Sequence, residues 1–200
     1  VSGDNRYRLF VNGTELVHGP SRDDLDHWRF ETLDIGPWLR RGDNVIAAVV
    51  WNFGPYRPAF QPGFATAFLL LADDPDHAFL NTGDAGWRVL ANEAIQAETA
   101  GIRSLRSYHV VGPGERIDGA RYPWNWEQPG YDDRTWDAPR RLEQAHPDAA
   151  GTLYGWGLTP RTLPAMEDRP TRLQDVRRAE GISVSKAFLS GEQAILVPPH

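Results

Sequence analysis

The stretch from Arg6 to Trp51 constrains the fold of this chain most. Tyr7, Leu9 and Val11 alternate with Arg6, Arg8 and Phe10, the period of two that marks a strand with one buried face. Asn12-Gly13 follows. Both central residues of a type I′ turn need positive φ, and Asn-Gly meets that need at low cost. Glu15 to Val17 then returns as the second arm of a hairpin. Gly19 to His27 is polar and reads as a loop of functional length. Trp28 to Ile35 resumes extended character. Gly36 to Arg40 suits one helical turn, and Arg41 to Asn44 is a turn. Val45 to Trp51 is a continuous apolar run, expected as a strand buried on both sides or covered on its outer face.

The rest of the chain keeps this rhythm. Asn52 to Gly63 is a long loop rich in proline, glycine and aromatics. Phe64 to Leu71, Gly86 to Leu90 and Tyr108 to Val111 read as strands. Glu93 to Ala97 fits a helical turn, and Tyr131 to Trp136 fits a turn in which Asp132 and Asp133 are turn formers. With 19 Gly, 16 Pro and 8 Trp, the pattern is one of many short strands joined by tight loops. The expected fold is all-β: an antiparallel β-sandwich of the galactose-binding-like jelly-roll kind over residues 1–156. A proline-punctuated linker is expected over 157–170. The runs Ile182–Val184 and Ala194–Val197 read as the start of a second β module over 171–200.

Charge and motif content exclude several functions. The net charge is −6 and no basic stripe is present, which argues against nucleic acid. No apolar run has the length of a membrane span. There is no cysteine, so disulfides and thiolate metal sites are excluded. The histidines are scattered without zinc-site spacing. A nucleophile elbow, a phosphate-binding loop and a dinucleotide fingerprint are all missing. The chain opens on Val1 without methionine and closes on Pro198-Pro199-His200, as expected of a piece of a longer protein.

Two loops concentrate side chains suited to binding. In Arg22-Asp23-Asp24-Leu25-Asp26-His27-Trp28, Asp24 and Asp26 can accept hydrogen bonds from sugar hydroxyls. Arg22 and His27 can donate, and Trp28 can stack on a pyranose face. The same carboxylates could hold Ca²⁺, which wants six to eight oxygens, or could simply cap turns in a solvated loop. No other cofactor is expected. The loop from Asn52 to Gln61 leaves the apolar strand, and in a sandwich it can share an edge with the first loop. Asn52, Tyr56 and Gln61 are its candidate ligand-binding residues. Sugar contact, docking on another domain and plain loop packing remain open for it. Trp124 and Trp126, two apart, could form a sugar platform or cover the core.

An ordered set of motifs resembles the N-terminal regions of bacterial α-L-rhamnosidase-like proteins, glycoside hydrolase family 78. It comprises Tyr7-x-Leu9-x-Val11-Asn12-Gly13, Gly19-Pro20-x-Arg22-x-Asp24, His27-Trp28 and Asp34-Ile35-x-x-Trp38-Leu39. Gly42-x-Asn44-Val45-Ile46-Ala47, Trp51-Asn52, Tyr131-Asp132-Asp133-x-x-Trp136 and Trp156 to Pro164 complete it. The resemblance implies β-sandwich modules ahead of an (α/α)₆ catalytic barrel. It implies inverting hydrolysis of terminal α-L-rhamnosides by two carboxylates in that barrel. No catalytic residue carries over to this chain. The implied partners are the barrel of the same parent protein and a rhamnose-containing glycan, and a glycan-degrading role implies a secreted or periplasmic setting. A stand-alone carbohydrate-binding module and a purely structural interaction domain are the rival expectations.

Overall fold

The structure, a computed structural model, describes residues 1–58, 60–83, 86–99, 113–142, 145–146, 155–167, 175, 177–178 and 180. The chain divides into two compact units, Val1–Leu163 and Pro164–His200. The strand expected at Tyr108–Val111 and the two apolar runs near the C-terminus lie outside the described residues. In the second unit the described residues include Arg178, whose Nε donates to Glu180 Oε1 at 2.8 Å.

The first unit is an all-β, mainly antiparallel sandwich. Its centre is the hairpin of β2 (Arg6–Val11) and β3 (Thr14–Gly19). Asn12 and Gly13 hold φ of 51° and 82° between them, the two left-handed residues of the expected turn. Asn12 does more than turn the chain. Its Nδ2 donates to Trp38 O at 3.0 Å and Asn44 Oδ1 at 2.8 Å, and its Oδ1 accepts from Val45 N at 3.0 Å. The hairpin tip is thereby fastened to the turn before β5 (Ile46–Trp51), which pairs antiparallel with the other side of β2.

Register assigns the faces. Tyr7, Leu9 and Val11 sit opposite Val50, Ala48 and Ile46, and these β2 side chains are wholly buried. Tyr7 meets Phe68 edge to face, with ring centroids 5.6 Å apart. Phe68 belongs to β6 (Ala67–Leu69), which pairs with β1 (Ser2–Asp4). The opposite face of β2 is covered near its end, where Phe10 meets Trp126 at 5.4 Å. Of β5 only Ala47 is fully buried, so the apolar run is half-covered along most of its length.

Several segments depart from the expected elements: residues 86–90, expected as a strand, make only the single antiparallel pairing of Val89 with Asp137 among the described residues. Residues from the expected helical turn form β7 (Ile95–Glu98), paired with β8 (Gly114–Ile117); a partner strand 20 residues downstream satisfies the backbone better than one isolated turn. The stretch expected to begin a linker at 157 instead lies in β10 (Trp156–Pro160). β10 pairs in parallel with β4 (Trp28–Phe30) and with β9 (Ala145–His146), and Trp156 and Gly157 are buried. A side chain at Gly157 would stand 2.2 Å from Asp26 O, so glycine lets loop and strand touch. A short 3₁₀ segment, Pro75–Leu80, follows the turn at Asp74, whose side chain accepts from Asp76 N.

Two buried carboxylates tie these pieces together. Asp4 is 1% exposed. Its Oδ1 accepts from Asn52 Nδ2 at 2.8 Å and Asn5 Nδ2 at 3.0 Å. Its Oδ2 accepts from Phe64 N at 2.7 Å, Trp156 Nε1 at 3.0 Å and Ala65 N at 3.4 Å. Glu31 is also buried and accepts from Tyr7 Oη, from Ser21 N at 2.9 Å and from Arg161 Nη1 at 3.3 Å. Burial raises the Asp4 carboxyl above its ordinary value, while its donors, led by Phe64 N, pull it back.

Asp4→Ala leaves several enclosed donors without an acceptor and is expected to lower unfolding free energy by about 3 kcal/mol or more, read from urea midpoints. The raised pKa also sets a sign. Asp4 contributes most below its unfolded value of 3.8, and that contribution is lost as pH rises through the folded value. The stability difference between the parent chain and Asp4→Asn should therefore shrink as pH rises through that window. A difference that grows over the window would contradict the assignment.

Candidate loop site at one edge of the sandwich

Loop 20–28 is built around Asp24. Its Oδ1 accepts from Asp26 N at 2.9 Å, His27 N at 2.8 Å and His27 Nδ1 at 2.8 Å. The hydrogen bond from the His27 ring is the main cause that holds the Asp24 carboxyl below the usual carboxylate range. Asp23 faces the other way: its Oδ2 accepts from Arg29 Nε at 2.8 Å, and Arg29 Nη1 donates onward to Pro160 O at 3.0 Å. Gly157 N donates to Leu25 O at 2.9 Å. The loop is thus a set of aspartate-capped turns pinned to β10.

Ligand atoms of Asp23, Asp24 and His27 lie within 4.8 Å of one another, all exposed. Two carboxylates and an imidazole fall short of the oxygen shell Ca²⁺ wants, and both carboxylates already accept from Arg29 or His27.

The two loops do meet. Arg22, Asp23 and Trp28 line a cavity of about 20 Å³ together with Phe60, Gln61 and the β1–β2 junction. That volume holds about one water. Gln61 Oε1 is shut off from solvent with no hydrogen-bond partner among the described residues. Arg6 stands at the same cavity, its Nη1 donating to Pro20 O. Burial, followed by the nearby Arg22 charge, lowers the Arg6 pKa.

The expected binding residues therefore separate. Arg22 and Gln61 converge on one cavity. Asp24, Asp26, His27 and Tyr56 are exposed and are not part of its wall. Asn52 turns inward: its amide donates to Asp4 and its carbonyl accepts from Gly54 N at 2.7 Å. Trp28 is 7% exposed, so the stacking face expected of it is closed. Pairing of β4 with β10 draws its side chain into the core, where a large aromatic gains most from burial. Among the paired acids of the second turn, Asp132 accepts from Arg134 Nε at 2.8 Å, a local turn contact.

Sequence patterns did not point to Asp4 or Glu31, because an acidic residue in a strand looks the same whether its donors come from solvent or from elsewhere in the chain. A wider apolar cleft of about 1980 Å³ runs along β5, Phe68 and Trp87. It exceeds the roughly 300–1,000 Å³ of small-molecule pockets. Among the described residues no helix is long and apolar enough to cross a membrane.

Truncation should expose the division of labour. Trp28→Ala is expected to cost about 3–5 kcal/mol of stability, whereas Arg22→Ala should stay within about 0.5 kcal/mol, both read by chemical denaturation. Equal costs would contradict the burial pattern.

A search of curated proteins found no match. The crystal structure of a GH78 family rhamnosidase of Bacillus sp. GL1 is similar, with a TM-score of 0.49 and 25% sequence identity over 82% of this chain. The chain spans 16% of that rhamnosidase's length. The family described as alpha-L-rhamnosidase N-terminal domain matches residues 1–150, three quarters of the sequence. This chain belongs to the alpha-L-rhamnosidase N-terminal domain family.

Proposed function

We propose that this chain is the non-catalytic N-terminal portion of an α-L-rhamnosidase-like glycoside hydrolase. In this reading it supports the catalytic (α/α)₆ barrel of the same parent protein and contributes to recognition of a rhamnose-containing glycan. The family match over residues 1–150 carries the proposal.

The chemistry of four of the described carboxylates fits this reading. Inverting hydrolysis needs one carboxylic acid and one carboxylate facing each other across room for a water. Asp4 and Glu31 are enclosed and have their oxygens engaged by structural donors. Asp24 and Asp132 are engaged by their own turns. The aromatic loop supports docking: Tyr56, Phe60 and Phe64 are 42%, 64% and 43% exposed, an apolar surface suited to a neighbouring domain.

The chain alone is expected to leave an aryl α-L-rhamnoside intact. Hydrolysis by the purified chain, with rates that scale with its concentration, would overturn the reading. In the parent protein, Phe60→Ala should lower the thermal midpoint of the barrel if this loop supports it. An unchanged midpoint would remove the docking role.

The stand-alone carbohydrate-binding module remains a second reading because of one feature. Exposed Arg22 offers donors beside a cavity sized for about one water, into which Gln61 Oε1 faces without a partner among the described residues, an arrangement suited to receiving a single hydroxyl of a sugar held outside it. Calorimetry with L-rhamnose tests it. Heat that disappears in both Arg22→Ala and Gln61→Leu favours the module, and absence of binding by the parent chain excludes it.

A further inference from the structure

Trp124 is 63% exposed, yet it is held firmly. Its Nε1 donates to Gly119 O at 2.8 Å, so the polar edge of the indole is already used inside its own turn. The Tyr122 ring stands against it at 4.7 Å, tilted by 55°. The backbone beneath is closed by hydrogen bonds. Arg121 N and Tyr122 N both donate to Asp118 O at 3.1 Å, Trp124 N to Tyr122 O at 2.9 Å and Gln128 N to Asn125 O at 3.0 Å. Both ends of the turn are anchored in packed structure. Asp118 N donates to the carbonyl of buried Ala94 at 2.8 Å, and Trp126 packs on Phe10 of β2. Of the two tryptophans spaced two apart, one covers the sheet and the other is held outward.

Exposed apolar side chains are common on this surface, and what sets Trp124 apart is that its ring is held in place by its own turn. What remains on offer is its flat apolar face. The surroundings identify what fits there. Gly119, Ala120, Arg121 and Asn125 are exposed, and Arg121 Nη2 pairs with Glu93 Oε2 at 2.8 Å. A docked protein favours a contiguous apolar patch depleted of charge. One rigid ring beside hydrogen-bonding groups instead matches a pyranose, which presents C–H groups on one face and hydroxyls around its rim.

We infer that Trp124, braced by Tyr122, is a pyranoside-stacking platform, built from residues other than those of the Arg22–Gln61 cavity. That the occupant is a glycan rests on the functional reading above; the fixed, exposed ring does not. A single stacking ring implies weak, fast-exchanging binding, so NMR is the suitable readout. Titration of the 200-residue chain with methyl α-L-rhamnopyranoside should shift the Trp124 indole and Tyr122 ring resonances saturably. Trp124→Ala should weaken binding at this site by about tenfold or more, with Trp124→Phe intermediate. Arg22→Ala should leave it unchanged. Because Trp124 is exposed, both tryptophan variants should keep the parent chain's thermal midpoint. Absence of saturable shifts at Trp124, or shifts that persist unaltered in Trp124→Ala, overturns the inference. Shifts confined to residues around Arg22 overturn it too, while leaving the functional reading intact. Protection of Trp124 from acrylamide quenching in the ligand-free parent protein would make the ring a domain contact and likewise overturn the platform.

Discussion

The fold depends most on one buried carboxylate. Asp4 lies near the start of the chain, yet the groups that donate to it come from the end of β5, from the loop at 64–65 and from Trp156 at the head of β10. Enclosing a carboxylate is costly in itself, and burial raises its pKa. Several donors offset that cost and make the geometry selective: a shifted strand would leave the charge or its donors unmatched. Glu31 repeats the device, joining Tyr7 of β2, Ser21 of the first loop and Arg161 just past β10. Between them the two acids connect segments more than 120 residues apart in sequence.

These knots suit a sandwich of short strands. Among the described residues the fully buried apolar side chains are few, with Tyr7, Leu9, Val11, Trp28 and Trp156 the large ones. Strands of three residues, such as β1, β4 and β6, bury little area on their own. Polar knots supply position where the apolar core is thin, and they consume carboxylates that might otherwise be read as catalytic. Exposed side chains named in the proposals lie on loops: Arg22, the aromatic residues around Phe60, and Trp124.

Local chemistry made much of the frame legible. Period-two alternation in Tyr7 to Val11 and the Asn12-Gly13 pair determine a hairpin, its turn type and its buried face without help from distant residues, because sterics and side-chain alternation act within a few positions. The loop at 20–28 was legible as aspartate-rich turns for the same reason. The ordered motifs likewise pointed to the family that matches residues 1–150.

Other properties were decided only in three dimensions. Trp28 looked as suitable for stacking as Trp124 does, and its closure came from β10, 130 residues away, lying alongside β4. The Ile95–Glu98 strand exists because residues 114–117 provide its hydrogen bonds, and the residues expected to start a linker became β10 because β4 and β9 flank it. Asp4 and Glu31 became structural because distant donors surrounded them. The sequence by itself determined the hairpin, the all-β class and the family. Tertiary structure decided which carboxylates are spent and which aromatics are exposed, because burial and hydrogen-bond satisfaction depend on neighbours that local sequence does not specify.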